Sequence, residues 1–196
     1  MSVSRETLDQ LDHYRQLVNK WNPAINLVAS NTLKDFHQRH VEDCLQLAEI
    51  SAGETGKWVD LGSGGGLPGI VLAISLQKTN LYFKLIESDK RKSAFLRTVI
   101  RELSLNNIEV LNDRIEETDP ETADMVSARA LAPLPRLLPL VLHHMSPTGT
   151  AWLMKGRNWE AECKEASQHW KFDLDVFPSR TDPDAAILKV TGVAHA

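Results

Sequence analysis

The chain has little of what marks several large protein classes. Its 196 residues hold two cysteines, Cys44 and Cys163. Two such residues make neither a disulfide framework nor a set at metal-ligand spacing, so no metal is expected. A reducing, cytoplasmic compartment is expected instead. No apolar run approaches the ~20 residues that a membrane-spanning helix needs, so no membrane role is expected. The opening Met-Ser-Val-Ser-Arg-Glu-Thr lacks the apolar core of a secretion signal. Positive charge is not in excess either: 22 Lys and Arg stand against 26 Asp and Glu, a net charge of −4. That argues against a protein that coats nucleic acid without selectivity, and leaves room for a local basic patch. Length and a hydrophobic content of 42% suit one domain with a real core.

Glycine is also scarce, ten in all, yet Gly62, Gly64, Gly65, Gly66 and Gly69 crowd into one short stretch. Trp58, Val59 and Leu61 before it read as a short buried strand. Pro68 then opens an apolar run, Ile70 to Leu76, that reads as a helix; proline suits a first helical turn. Strand, glycine turn and helix start together bring backbone close to a nucleotide-like ligand. The Gly-Lys-Ser/Thr of P-loop phosphate binders is absent. Gly64-x-Gly66-x-x-Gly69 matches the dinucleotide fingerprint, but out of register, since Pro68 and Gly69 should already lie in the helix. Asp60-x-Gly62-x-Gly64-x-Gly66 fits better. An acid at the strand end followed by alternating glycines resembles motif I of Rossmann-like methyltransferases that bind S-adenosylmethionine. A tight turn with no ligand is the bland alternative, and it leaves the backbone-entropy cost of five glycines unexplained.

Along the chain, residues 4–21 read as an amphipathic helix ended by Asn22-Pro23. A second helical region runs from about Thr32 to Ile50. Within it, Arg39-His40-Val41-Glu42-Asp43-Cys44 packs charge where half a turn should be buried; i,i+4 pairing of Arg39 with Asp43 is the plain account. Residues 1–52 are thus a helical N-terminal extension to an α/β core at 53–196, within a single domain. Asn80 to Glu87 reads as a strand ending in a carboxylate at the position that commonly holds ribose hydroxyls. A helix with a basic polar side follows, Lys90, Arg91, Lys92, Arg97 and Arg101. Asn107 to Leu111 and Asp124 to Arg129 read as further strands. Arg129, at a strand end, needs an anionic or carbonyl partner, with Asp60 or Glu116 as structural options. Leu131 to His144 reads as a helix that Pro139 would bend or shorten. Gly149 to Lys155 reads as a strand, and Trp159 to Trp170 as a helix. Phe172 to Val176 and Ala186 to Val190 form a closing antiparallel pair around Ser179 to Asp184. The alternation implies a largely parallel sheet covered on both faces.

Taken together these segments resemble the glucose-inhibited division protein B family. Its members are guanine-N7 methyltransferases acting on small-subunit ribosomal RNA in bacteria. The likeness covers nearly the whole chain. It runs from Trp21-Asn22 with Ile25-Asn26-Leu27, through Arg39-His40 and Asp60 to Gly69, to Ile86-Glu-Ser with Lys90-Arg-Lys. It continues through Asp113-Arg-Ile-Glu116 and Ser127-Ala-Arg-Ala130 to Leu153-Met-Lys-Gly156. The resemblance implies a Rossmann-like class I S-adenosylmethionine-dependent methyltransferase with a mostly parallel seven-stranded sheet. It also implies site residues. Asp60, Gly62, Gly64 and Leu67 would line the S-adenosylmethionine site, Glu87 would hold the ribose, and Ile115 and Glu116 would border the adenine. Arg129 would face cofactor or target. Arg39, His40, Arg114 and Lys155 are candidates for the RNA side, with Arg129 and Lys155 as candidate catalytic groups. The expected substrate is 16S ribosomal RNA or the small subunit. Two departures stand out. Asp43-Cys44 replaces the family's usual Asp-Ser. Asp182-Pro-Asp-Ala185 stands where many members carry basic residues before the last strand. A small-molecule methyltransferase on the same fold, or a non-catalytic module binding a nucleotide such as NAD, are the alternatives from other classes.

Overall fold

The computed structural model describes residues 4–196. The first three residues of the opening stretch, expected to start no secretion signal, lie outside them. Helix α1 (Arg5–Ile25) starts at Ser4, whose hydroxyl accepts the Thr7 N–H at 3.2 Å. Leu11, Tyr14, Val18 and Ile25 fall on one face and are buried. The helix does not stop at Asn22-Pro23 as expected; it carries Pro23 inside its last turn. Proline there removes one backbone donor. Two things offset the loss. Asn22 and Ile25 are buried, and Asn26, in the left-handed region at φ 48°, donates its N–H to the Asn22 carbonyl. The Asn22 side chain then accepts the Val28 N–H at 2.8 Å and fixes the exit.

The second helical region is three pieces: a 3₁₀ turn at Ser30–Thr32, a π-helical turn at His37–Val41, and helix α2 (Glu42–Ile50). The remaining elements alternate. They are β1 (Gly56–Leu61), α3 (Gly69–Ser75), β2 (Leu81–Ile86), α4 (Lys90–Glu102), β3 (Ile108–Leu111) and β4 (Ala123–Arg129). After these come α5 (Leu134–His144), β5 (Met145–Lys155), α6 (Trp159–Ala166), β6 (Trp170–Pro178) and β7 (Ala186–His195). Helix α5 runs through Pro139. Helix α6 ends at Ala166, short of the expected Trp170, because Trp170 begins β6 and stacks on His195 of β7 at 4.1 Å.

The seven strands pair in the order β3-β2-β1-β4-β5-β7-β6. Strands β1 to β5 are parallel, and β7 runs antiparallel to both β5 and β6. Each face of the sheet carries its own apolar layer. Trp58, Phe83 and Leu85 pack under α1, α3 and α4. Val59, Leu61, Val126 and Leu153 pack under α5 and α6. The winding reverses between β1 and β4. In such sheets a crevice opens there, beyond the carboxyl ends of the strands, and ligands bind in it. Asp60 and Arg129 lie at those two strand ends.

Candidate functional site

Strand β1 delivers Asp60 to the base of the glycine turn with 1% of its surface exposed. Its Oδ1 accepts the Ser127 hydroxyl at 2.7 Å, and Ser127 in turn accepts the indole N–H of Trp58 at 2.9 Å. Oδ2 is buried against Gly69 at the start of α3. Burial pushes the carboxyl up to about 6, with the Ser127 hydroxyl pulling the other way. Gly62 follows at φ +65°, and a Cβ there would stand 2.6 Å from Leu131 Cδ1. Glycine takes that conformation without strain and without displacing Leu131. At Gly64 the corresponding space is open, with nothing nearer than the Gly62 carbonyl at 3.8 Å. An open cradle of backbone at Gly64, with carboxylates and no cation at its edge, suits a ligand with an amino-acid tail and no phosphate.

Glu87, just past β2, reaches the same turn. Its Oε2 accepts the Gly64 N–H at 2.7 Å and its Oε1 accepts the Asp89 N–H at 2.8 Å. A carboxylate has about four lone-pair sites, so acceptor capacity remains for ribose hydroxyls. Leu67 sits half-buried in the turn. Across the crevice, Ile115 and Glu116 lie in a 3₁₀ turn. The Ile115 side chain is buried, and its carbonyl accepts from His144 Nε2 at 2.9 Å. Glu116 is exposed and holds Arg114 through its Nε at 2.9 Å. Burial is also what raises the Cys44 thiol to about 12, so that sulfur stays protonated.

A cavity of about 730 Å³ opens on the other side of the β4 end. Arg39, His40, Asp43, Arg129, Leu131, Lys155 and Glu162 contribute to its lining, with Thr181 and Asp182 from the hairpin loop. Leu131 is shared: it packs against Gly62 and lines the cavity. Ala130 before it is held at φ +52°, a left-handed conformation rare for a residue with a Cβ. That kink turns the chain from β4 along the wall between turn and cavity.

Arg129 finds neither Asp60 nor Glu116. Its guanidinium donates to His40 Nδ1 at 2.9 Å and to the Arg39 carbonyl at 3.3 Å, and lies 3.8 Å from Asp43 Oδ2. Arg39 accordingly does not form the expected i,i+4 pair with Asp43. The π-helical turn at His37–Val41 adds a residue to the turn between them and breaks that spacing. Asp43 Oδ1 instead accepts the Ser179 hydroxyl at 2.8 Å, and Gln46 holds Pro178 and Arg180, so α2 clamps the β6–β7 loop over the cavity. Lys155 is buried, with its ammonium on Glu162 Oε2 at 2.6 Å and on the Ala132 carbonyl at 2.8 Å. Its charge, like that of Arg129, has a carboxylate beside it. The floor is therefore close to charge-balanced, which suits a neutral heteroaromatic base. Arg39 is exposed at the rim.

The sequence reading assigns no site role to Tyr14, Thr32, Leu131 or Glu162. Tyr14 donates to the Gly65 carbonyl at 2.6 Å, so α1 holds the glycine turn directly. The signal for it in the sequence is its place at helical spacing within residues 4–21. Among the described residues no three His, Cys, Asp or Glu side chains converge as a metal site, and no helix is long and apolar enough to cross a membrane.

Comparison with known proteins covers both sequence and fold. A family model described as rRNA small subunit methyltransferase G matches residues 7–181. The ribosomal RNA small subunit methyltransferase G of Paracoccus denitrificans is 57% identical over 196 residues, covering 100% of both chains. That of Cereibacter sphaeroides is 47% identical over 197 residues, covering 100% of this chain and 94% of its own. Among solved structures, a SAM dependent methyltransferase from Aquifex aeolicus superposes with a TM-score of 0.61 at 13% identity, covering 80% of this chain and 92% of its own. Aeropyrum pernix fibrillarin in complex with S-adenosyl-L-methionine gives 0.60 at 15% identity, over 78% and 76%. These last two speak to the fold.

Proposed function

The chain belongs to the rRNA small subunit methyltransferase G family and is an S-adenosylmethionine-dependent rRNA methyltransferase, and from that premise we propose how its site divides the work. The target is N7 of one guanine in 16S ribosomal RNA, met in the cytoplasm as part of the small subunit or its RNA, by residues 1–196 acting as a single domain. The observation that supports the division is Leu131, which packs against Gly62 and also lines the charge-balanced cavity, so that cradle and cavity adjoin there.

Asp60, Gly62, Gly64, Leu67 and Glu87 hold the cofactor on one side. Ile115 and Glu116 border its adenine. When bound, S-adenosylmethionine supplies an electrophilic methyl group. Guanine N7 carries an exposed lone pair and loses no proton on methylation, so the site needs no general base and no nucleophilic cysteine. What the protein supplies is alignment and exclusion of water. Arg129 and Lys155 border the space for the base; a guanidinium or ammonium there donates to guanine O6 or to phosphate, leaving N7 free. Arg39 at the cavity rim is on the RNA side, and Arg114, held by Glu116 outside the cavity lining, is a second candidate contact for RNA. The target base enters unstacked, as RNA readers of loops and splayed bases require.

The test is transfer of labelled methyl from S-adenosylmethionine to small subunits from cells lacking this protein, with the modified base mapped. Label at a single guanine N7 is expected. Cofactor binding with no label in any ribosomal RNA would overturn the substrate assignment and favour a small-molecule methyl acceptor.

A further inference from the structure

We infer that His40 is a positioning residue for Arg129 and not a ligand for RNA. This rests on Arg129 facing the base in the site proposed above. Both ring nitrogens of His40 are spent inside the protein. Nδ1 lies 2.9 Å from the Arg129 guanidinium, and Nε2 lies 2.9 Å from Thr32 Oγ1. Arginine only donates, so Nδ1 is an acceptor and carries no proton. The proton therefore sits on Nε2 and is given to Thr32. Thr32 is free to accept it because its own hydroxyl proton goes to the Ala29 carbonyl at 2.7 Å. Each donor and acceptor in this chain has one consistent direction. Phe36 packs edge-on against the imidazole at 5.3 Å and fixes the plane of the ring.

The charge state agrees. Burial, with Arg129 and Arg39 nearby, lowers the imidazole to about 4, so His40 is neutral wherever ribosomes work. A cationic ring would lose its acceptor and repel the guanidinium it now orients. The Arg39 carbonyl, displayed in the π-helical turn, takes a second N–H of the same guanidinium at 3.3 Å. The N-terminal segment thus aims a catalytic-side arginine that belongs to β4.

Two variants of His40 separate the roles. His40→Asn keeps a polar atom near the place of Nδ1, whereas His40→Gln keeps one near Nε2. Methyl-transfer kcat is expected to stay within about threefold for His40→Asn and to fall about tenfold or more for His40→Gln, with subunit KM little changed. In an Arg129→Lys background, which lacks the fork, His40→Gln is expected to cost less than about twofold further. Thr32→Val, which removes the partner of Nε2, is expected to lower kcat in the parent enzyme but not in the His40→Asn enzyme. Imidazole nitrogen NMR of the parent protein reads the tautomer without any substrate. An Nε2-protonated ring is expected, and its signals should shift in Arg129→Ala. An Nδ1-protonated or cationic ring, a His40→Asn enzyme as impaired as His40→Gln, or a loss confined to subunit KM would overturn the inference. Absence of methyl transfer by the parent enzyme would defeat the substrate assignment alone, since the NMR outcome stands apart from it.

Discussion

Asp60 and Lys155 both carry charge into places that water barely reaches, and their consequences differ in sign. The folded-state carboxyl of Asp60 is raised from 3.8 to about 6 by burial. A raised pKa means that the folded state holds the proton more tightly. The group's favourable contribution is therefore complete below the unfolded value and is lost as pH climbs through about 6. Asp60→Asn keeps the shape and removes that loss. Its stability relative to the parent, read from urea unfolding, is expected to improve by about 3 kcal/mol between roughly pH 4 and pH 7, while its affinity for S-adenosylmethionine falls. Lys155 is the opposite case. Lys155→Met strands Glu162 without its ammonium and is expected to cost about 3 kcal/mol; adding Glu162→Gln recovers most of it. If the double variant regains stability but not methyl transfer, Lys155 acts on substrate. If it regains both, the ion pair is a structural one. At this scale the sequence placed side chains at strand ends and turns more readily than it paired them. Glu87 and Asp60 were legible because a strand end beside a glycine turn has a fixed neighbourhood. Arg129 was legible as a group needing a partner, but its partner came from a turn whose π geometry leaves no periodic trace.

Among elements, α1 does more than precede the core. Its buried face joins the same apolar layer as α3 and α4, and its Tyr14 hydroxyl grips the Gly65 carbonyl. Tyr14→Phe removes that one bond and nothing of the ring. It is expected to cost about 1 kcal/mol of stability and to raise the dissociation constant for S-adenosylmethionine several-fold, as read by calorimetry. An unchanged affinity would mean that the glycine turn holds its shape without α1. Local rules handled most element types here, since apolar spacing and the glycine turn are properties of neighbouring residues. They failed where burial outweighed local preference, as at Pro23, or where a residue was claimed by the next element, as at Trp170.

Across the whole molecule, a net charge of −4 coexists with an exposed Arg39 at the cavity rim and a basic outer face on α4. A protein of this balance meets a polyanion through a few placed contacts. Binding to the small subunit is expected to weaken with salt, and Arg39→Ala is expected to lower the slope of log affinity against log salt by about 1. An unchanged slope would remove Arg39 from the phosphate-contacting set. The Asp182-containing loop, clamped by Asp43 and Gln46, adds no positive charge to that edge beyond Arg180, which pairs with Glu49.

By itself the sequence determined the α/β alternation, the place of the glycine turn and the identity of the acids at its edge. Those are written in contiguous residues, where strand, turn and helix follow one another within a few positions. The tertiary structure alone decided which distant groups meet. Tyr14 reaches Gly65 across 51 residues, and His40 reaches Arg129 across 89. Such pairings depend on the phase of a helix, on one π-helical turn and on the angle at which the N-terminal segment packs against the sheet. Those quantities arise from packing the whole core and have no signature in the spacing of residues along the chain.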